Sequence, residues 1–390
     1  MKINKLFALL VGCYALTACI QDEALNTEAD IESCIVEADI ESCIVEGDIL
    51  IARPIIENNR VTLLIKPQKD PDLLSEILSN IKLNFSLTPG ATIDPPNGTI
   101  RDFTSPQVYT VTSEDKKWEK KYTITCSISE MQTEYDFEHF EVIVGGSKSY
   151  HEFYEIVGGN GGIQNIWASG NSGFHLTSPF GAGPEAYPTY ADPAGKEGYC
   201  VRLTTCSTGF LGSYAKKPIA AGNLFIGTMG SISLSGDPLE ATHFGRPFNL
   251  VPFYLTGYYK YKAGDVFTDK DKKKILDRTD TFDIYAIMFE TDDKTEWLDG
   301  SNSLTSPNLI SIARIAPEDR KETDEWTYFN LPFKNLPGKT IDPEKLANNK
   351  YNLSVVFSSS IDGAYFEGAV GSTLLIDKVK VHLEEHLEEK

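Results

Sequence analysis

Two stretches of this chain set aromatic rings beside amide, imidazole or ammonium groups at short spacing. The first holds Trp167, Asn171, His175, Tyr187 and Tyr190 among glycines and prolines. The second is Tyr258-Tyr259-Lys260-Tyr261. A ring covers a flat apolar face, and a neighbouring amide or ammonium bonds the hydroxyls at its edge, which is the chemistry a sugar requires. Loops rich in Gly and Pro run over the surface and can present such rings. On a strand, Tyr259 and Tyr261 share one face while Tyr258 and Lys260 share the other, so one pair points outward. The candidate carbohydrate-binding residues are therefore Trp167, Asn171, Tyr187, Tyr190, Tyr259 and Tyr261. The competing assignment for each ring is the core, because large aromatics are mostly buried.

Asp377 shares strand parity with Leu375, Val379 and Val381 in the run Ser372 to Val381. A carboxylate facing inward must be paired, hydrogen-bonded or bound to a metal. Catalytic motifs are missing. Gly170-Asn171-Ser172-Gly173 does not have the GxSxG spacing of a nucleophile elbow. Gly158-Gly159-Asn160-Gly161-Gly162 is not followed by the GK[ST] of a phosphate loop, and there is no HExxH. Asp269-Lys270-Asp271 lacks the later oxygens and the glycine of an EF-hand loop. Glycoside hydrolysis needs two carboxyl groups at a set separation, and 56 Asp and Glu leave any such pair open.

The ends and the composition place these groups outside the cytoplasm. Lys2 and Lys5 precede an apolar run from Leu6 to Leu16, then Leu16-Thr17-Ala18-Cys19. The run is too short to span a bilayer and reads as a signal peptide over residues 1–18. The last four residues resemble the bacterial lipobox. That resemblance implies acylation of Cys19 and anchoring in outer-membrane lipid, and Ile20-Gln21-Asp22-Glu23 resembles an acidic signal for export to the cell surface. With 36 Lys and Arg against 56 Asp and Glu, the net charge of −20 repels nucleic acid, which is excluded as a partner. Cys34, Cys43, Cys126, Cys200 and Cys206 form no metal or disulfide pattern once Cys13 and Cys19 are set aside.

Residues 19–47 read as an acidic tether. Within it, Ala29 to Glu37 is repeated residue for residue as Ala38 to Glu46. A slipped duplication in a tolerant segment explains this, although Ile35-Val36 and Ile44-Val45 could compete for one strand site on the next domain. In residues 48–131, Val61, Leu63 and Ile65 alternate, as do Leu83, Phe85 and Leu87, and Tyr122, Ile124, Cys126 and Ile128. Alternation punctuated by Pro and Gly predicts a small Ig-like β-sandwich. One short helix over Leu73 to Ile81 accompanies it. Residues 132–390 carry many short strand runs and end in a charged tail. Within them Phe282 to Phe289 reads as a central strand covered on both faces. The expected fold class is all-β, the Ig-like sandwich being followed by a larger jelly-roll β-sandwich.

Phe85 to Pro95, Asp102-Phe103 and Tyr109 to Asp115 resemble the cadherin-like Ig modules near the start of surface glycan-utilisation lipoproteins. Trp167 to Phe174, Ala221 to Gly227, Phe244 to Phe248, Leu255 to Tyr261 and Leu375 to Val379 resemble the family named putative carbohydrate metabolism domain. This resemblance implies a jelly roll like those of carbohydrate-binding modules, and a surface-exposed, non-catalytic protein that captures polysaccharide or oligosaccharide. Other outer-membrane glycan-uptake proteins are the implied partners. A glycoside hydrolase or lyase on the same fold, or an adhesive surface protein, are the alternatives. Sugar-binding jelly rolls often hold a structural Ca²⁺ between a Glu near the first strand and an Asp in the last, here Glu138 and Asp377. Calcium wants about six to eight oxygens.

Overall fold

A computed structural model describes residues 31–38, 49–51, 54–57, 59–66, 71–127, 131–157, 162–230 and 239–384. The signal peptide, Cys19, the second copy of the repeat and the tail beyond 384 lie outside the described residues.

The first domain is an Ig-like sandwich. Its smaller sheet has the order β1 (Ile31–Ala38), β4 (Ile81–Leu87), β6 (Ile100–Arg101). The larger has the order β2 (Ile55–Glu57), β3 (Arg60–Leu64), β8 (Glu119–Ser127), β7 (Gln107–Thr112), β5 (Thr92–Asp94). Alternation decides which side chains meet. Val61, Leu63 and Ile65 of one sheet face Leu83 and Phe85 of the other, all buried, with Tyr109, Val111, Tyr122 and Ile124 completing the core. The helix Pro71–Ser79 presents Ile77 and Leu78 to that core. β1 belongs to the first copy of the repeat and pairs antiparallel with β4, Val36 opposite Leu83. At the junction with the second domain, Arg60 donates to Glu141 at 2.7 Å and to Glu152 at 2.8 Å.

The second domain is a jelly-roll sandwich of two antiparallel sheets. The first sheet runs Trp167–Ala168, Asn223–Met229, Tyr351–Ser358, Asp283–Glu290, Leu309–Arg314, Lys334–Asn335. The second runs Thr189–Asp192, Cys200–Thr204, Thr373–His382, Tyr254–Lys262, Thr323–Pro332. Between them lies one core, with Ile284, Ala286, Met288, Leu353, Val355 and Phe357 from the first sheet against Leu203, Leu255, Tyr259, Leu374 and Ile376 from the second. The strand Asp283–Glu290 is buried on both faces, as its apolar run predicts: Tyr285, Ile287 and Phe289 enter a separate apolar cluster on the outer side of the first sheet. Asp377 breaks the simple parity. A register shift and a positive φ of 50° at Lys378 turn Leu375 and Asp377 to the outer face of the second sheet, while Val379 and Val381 return to the core.

One end of the core is aromatic. Trp167 packs within 5.0 Å of Tyr135 and 5.4 Å of Phe137, ring to ring, and donates from Nε1 to Glu155 Oε1 at 2.7 Å. Burial pushes the Glu155 carboxyl up to about 8, against the pull of the Trp167 hydrogen bond. An acid whose folded pKa is raised favours the folded state below its unfolded pKa. That advantage is lost as pH rises through the interval up to about 8, by at most about 1.4 kcal/mol per unit. The amide of Glu155→Gln still accepts from Trp167 and does not titrate. The stability of the parent minus that of the variant, from denaturant titrations, is therefore expected to fall between pH 5 and pH 8. A difference independent of pH would show that Glu155 ionises as readily folded as unfolded.

Candidate functional site

The structure takes most of the expected sugar-binding side chains out of reach, and this corrects their placement. Trp167, Asn171, Tyr187, Tyr259 and Tyr261 are buried, so they do not converge on an open groove. Asn171 Nδ2 donates to Thr189 O at 2.7 Å and its Oδ1 accepts from Thr189 N at 3.1 Å, which fixes the start of the strand Thr189–Asp192. The Tyr187 hydroxyl meets His175 Nδ1 at 2.8 Å, and its ring packs on Tyr150 and Phe174. Tyr259 and Tyr261 flank Phe282 in the core, at 4.9 and 4.7 Å between rings. They share parity with Leu255, and that shared parity was the sequence signal that they point inward. Tyr190 alone of the six is half-exposed, on the outer face of the second sheet beneath Arg202.

Glu138 and Asp377 do converge, but on a loop. Asp377 Oδ2 accepts from Lys196 N at 2.7 Å and Glu197 N at 3.3 Å, and Oδ1 from Lys378 N at 2.7 Å. Glu138 accepts from Tyr199 N at 3.1 Å. Burial raises the Asp377 pKa against these bonds. Three amide hydrogens thus take most of the acceptor capacity of Asp377, and one is shared by the Glu138 oxygens. Among the described residues no three His, Cys, Asp or Glu side chains are arranged to hold a metal. Two carboxylates already committed to amides do not fit calcium.

The open concavity lies elsewhere, on the outer face of the first sheet, with a volume of about 310 Å³. That is within the roughly 300–1,000 Å³ of small-molecule sites. Its floor is made by side chains of the sheet: Phe225, Val356, Tyr285 and the Asp283–Arg314 pair. Arg314 grips Asp283 through Nε at 3.0 Å and Nη2 at 2.6 Å, and its guanidinium lies 5.8 Å from the Tyr285 ring centre. Burial works against the Arg314 charge, and the hydrogen bonds and charge of Asp283 more than restore it. Arg320 reaches Asp283 from the other side at 3.2 Å. Asp283 is the one carboxylate among the described residues that line the groove.

One wall carries an exposed ring. The helix Gly209–Tyr214 lines the groove through Gly212, while its exposed rings Phe210 and Tyr214, two residues to either side, lie on the face of the helix away from the groove. Opposite runs the turn Gly363–Tyr365 with Phe366, where Tyr365 is 60% exposed. Phe366 has φ 61°, a left-handed conformation that a bulky residue holds only when its surroundings impose it. Two features impose it. A side chain at Gly363 would strike Ala221, its Cβ falling 2.3 Å from that methyl. Before and after the turn, the buried Asp280 accepts from Ser360 Oγ at 2.6 Å, Ser372 Oγ at 2.7 Å and Ala369 N at 2.8 Å. Losing a buried partner of this kind costs about 1–3 kcal/mol, so the turn is fastened at both ends. The rim was missed in the sequence, although Gly363-Ala364-Tyr365-Phe366 sets two rings in a segment with no strand period.

Comparison with known proteins bears on this site. No curated protein matches the chain. A family profile described as SGBP, N-terminal matches residues 54–126, within the first domain. A solved structure from Bacteroides thetaiotaomicron VPI-5482, described as a putative glycoside hydrolase, shares 47% identity. It covers 94% of this chain and 100% of its own, with a TM-score of 0.81. Another from Bacteroides vulgatus ATCC 8482, with the same description, shares 42% identity over 65% of this chain and 99% of its own, with a TM-score of 0.61. The profile described as putative carbohydrate metabolism domain matches residues 136–382, more than half of the sequence, and the chain belongs to that family.

Proposed function

We propose that this protein is a surface-displayed, lipid-anchored receptor that binds a glycan in the groove on the outer face of its first sheet, without cleaving it. The observation that carries this reading is the groove's chemistry. An aromatic floor and the exposed Tyr365 ring at the rim suit sugar faces, and a fixed guanidinium–carboxylate pair suits hydroxyls at their edges. The one acid that lines it among the described residues is held by two arginines. A hydrolase needs two carboxyl groups at a set separation across the bond, and Asp283 has no second carboxyl beside it in the described lining. The enzymatic reading is favoured by the description of the two solved relatives as glycoside hydrolases. It predicts release of oligosaccharide that Asp283→Asn abolishes.

Placement at the surface rests on the sequence: the lipobox at Cys19, the acidic residues after it and the tether that follows. The Ig-like domain then acts as a spacer that lifts the groove from the membrane. Acylation would hold the chain firmly, since each buried methylene adds about 0.8 kcal/mol. The intact mass of the chain extracted from membranes is expected to start at Cys19 with its acyl chains, and an unacylated chain with another start removes the anchor.

Affinity electrophoresis of the full chain through gels containing neutral polysaccharides tests the groove. Tyr365→Ala and Leu176→Ala alter exposed side chains that line the groove and are expected to leave thermal stability unchanged. Each should weaken retardation about tenfold, the equivalent of about 1.4 kcal/mol. Retardation unchanged in both variants, or absent for the parent in every gel, contradicts the reading.

A further inference from the structure

The second sheet also has an outer face, on the side of the sandwich away from the groove. Tyr258 and Lys260 point outward there, about 6.6 Å apart along their strand. The neighbouring strand places Tyr328 directly opposite Tyr258, with ring centres 5.4 Å apart, and sets Trp326 beside Lys260, whose Nζ lies 5.2 Å from the indole. Tyr328 is 51% exposed. Above this block runs the loop that Glu138 and Asp377 clamp, and it hangs Lys196 Nζ 4.5 Å over the Tyr258 ring. The row continues across the sheet from Lys260 through Leu375 and Arg202 to Tyr190, each opposite the next.

Bases and acids balance on this face of an acidic chain, five bases standing against Asp192, Glu197, Glu134, Asp377 and Glu138. Within a protein of net charge −20, Lys196, Arg202, Lys260, Lys378 and Lys380 gather on or beside one sheet face. Arg202, Lys378 and Lys380 are paired with Asp192, Glu197 and Glu134. Lys196 and Lys260 form no ion pair among the described residues and sit against rings instead. An ammonium on a ring is held by about 0.5–1 kcal/mol at an exposed site. It therefore gives up little when an anion arrives. The two carboxylates beneath the loop fix Lys196 in place, which lowers the entropic cost of using it.

We propose that this face is a second glycan platform, specific for an acidic polysaccharide, whose sugar rings lie on Tyr258, Tyr328 and Trp326 while its carboxylate or sulfate groups meet Lys196 and Lys260. A lysine ammonium is a point charge and does not choose between the two acids by geometry. Nucleic acid carries one charge per about 1.7 Å of duplex, far denser than one acid per sugar, and the surrounding acidic surface repels it more strongly.

Affinity electrophoresis of the full chain with polygalacturonate, dextran sulfate and neutral dextran tests this. The parent is expected to be retarded by at least one acidic polymer and less at 500 mM than at 50 mM NaCl. Retardation should fall about tenfold in Lys196→Ala, Lys260→Ala and Tyr328→Ala, while Tyr365→Ala at the groove leaves it unchanged. Polygalacturonate and dextran sulfate separate a carboxylate ligand from a sulfate ligand. Retardation by neither acidic polymer, equal retardation by neutral dextran, or lysine variants that behave as the parent would overturn the proposal. Neutral polysaccharides retained through Tyr365 in those same variants would show that the groove reading stands alone.

Discussion

A sheet whose central strands are apolar on both faces needs cover on both sides. Asp283–Glu290 and Tyr351–Ser358 are the middle of such a sheet, and each is buried along its length except at the last residue. Their inner face is covered by the second sheet. Among the described residues no large third sheet covers the outer face. It is closed instead by loops, the short helices Asn171–Phe174 and Gly209–Tyr214, and the turn at Gly363. Loops do not tile a surface as evenly as strands do, and the gap they leave over Phe225, Val356 and Tyr285 is the groove. The site is thus a consequence of two-sided burial closed by irregular structure.

Irregular structure then has to be held still, and buried or half-buried carboxylates do this in the second domain. Asp280 ties the turn at the groove's rim, Asp377 and Glu138 tie the loop bearing Lys196, and Glu155 anchors the aromatic end of the core through Trp167. In the first two cases the acceptors take backbone amides and hydroxyls that loops cannot satisfy internally. Burial raises the pKa of Asp280, Asp377 and Glu155, so the chain keeps acids where water is scarce because each is surrounded by donors.

Sequence pattern read the architecture well because strand burial has a period of two. Val61, Leu63 and Ile65 face the first core, and the run after Phe282 is a doubly covered strand, both as expected. The same rule would have turned Tyr259 and Tyr261 inward, had Leu255 been counted with them. Parity failed at Asp377 because a bulge resets it locally, and bulges leave no mark in hydropathy. Trp167 and Tyr187 lie among Gly and Pro, yet tertiary packing drew both rings into the core. The groove was not legible at all: Phe225, Arg314 and Tyr365 lie far apart in sequence and meet only through the sheet order.

Hydroxyl-radical footprinting of the full chain, read by mass spectrometry with and without a neutral glycan that retards it, tests the central claim most directly. Leu176, Tyr365 and Phe366, which line the groove, should lose most of their oxidation when the glycan is present, while Trp118, exposed on the first domain, keeps its own. Unchanged oxidation at all three rim residues with the glycan bound would place the sugar elsewhere and contradict the account.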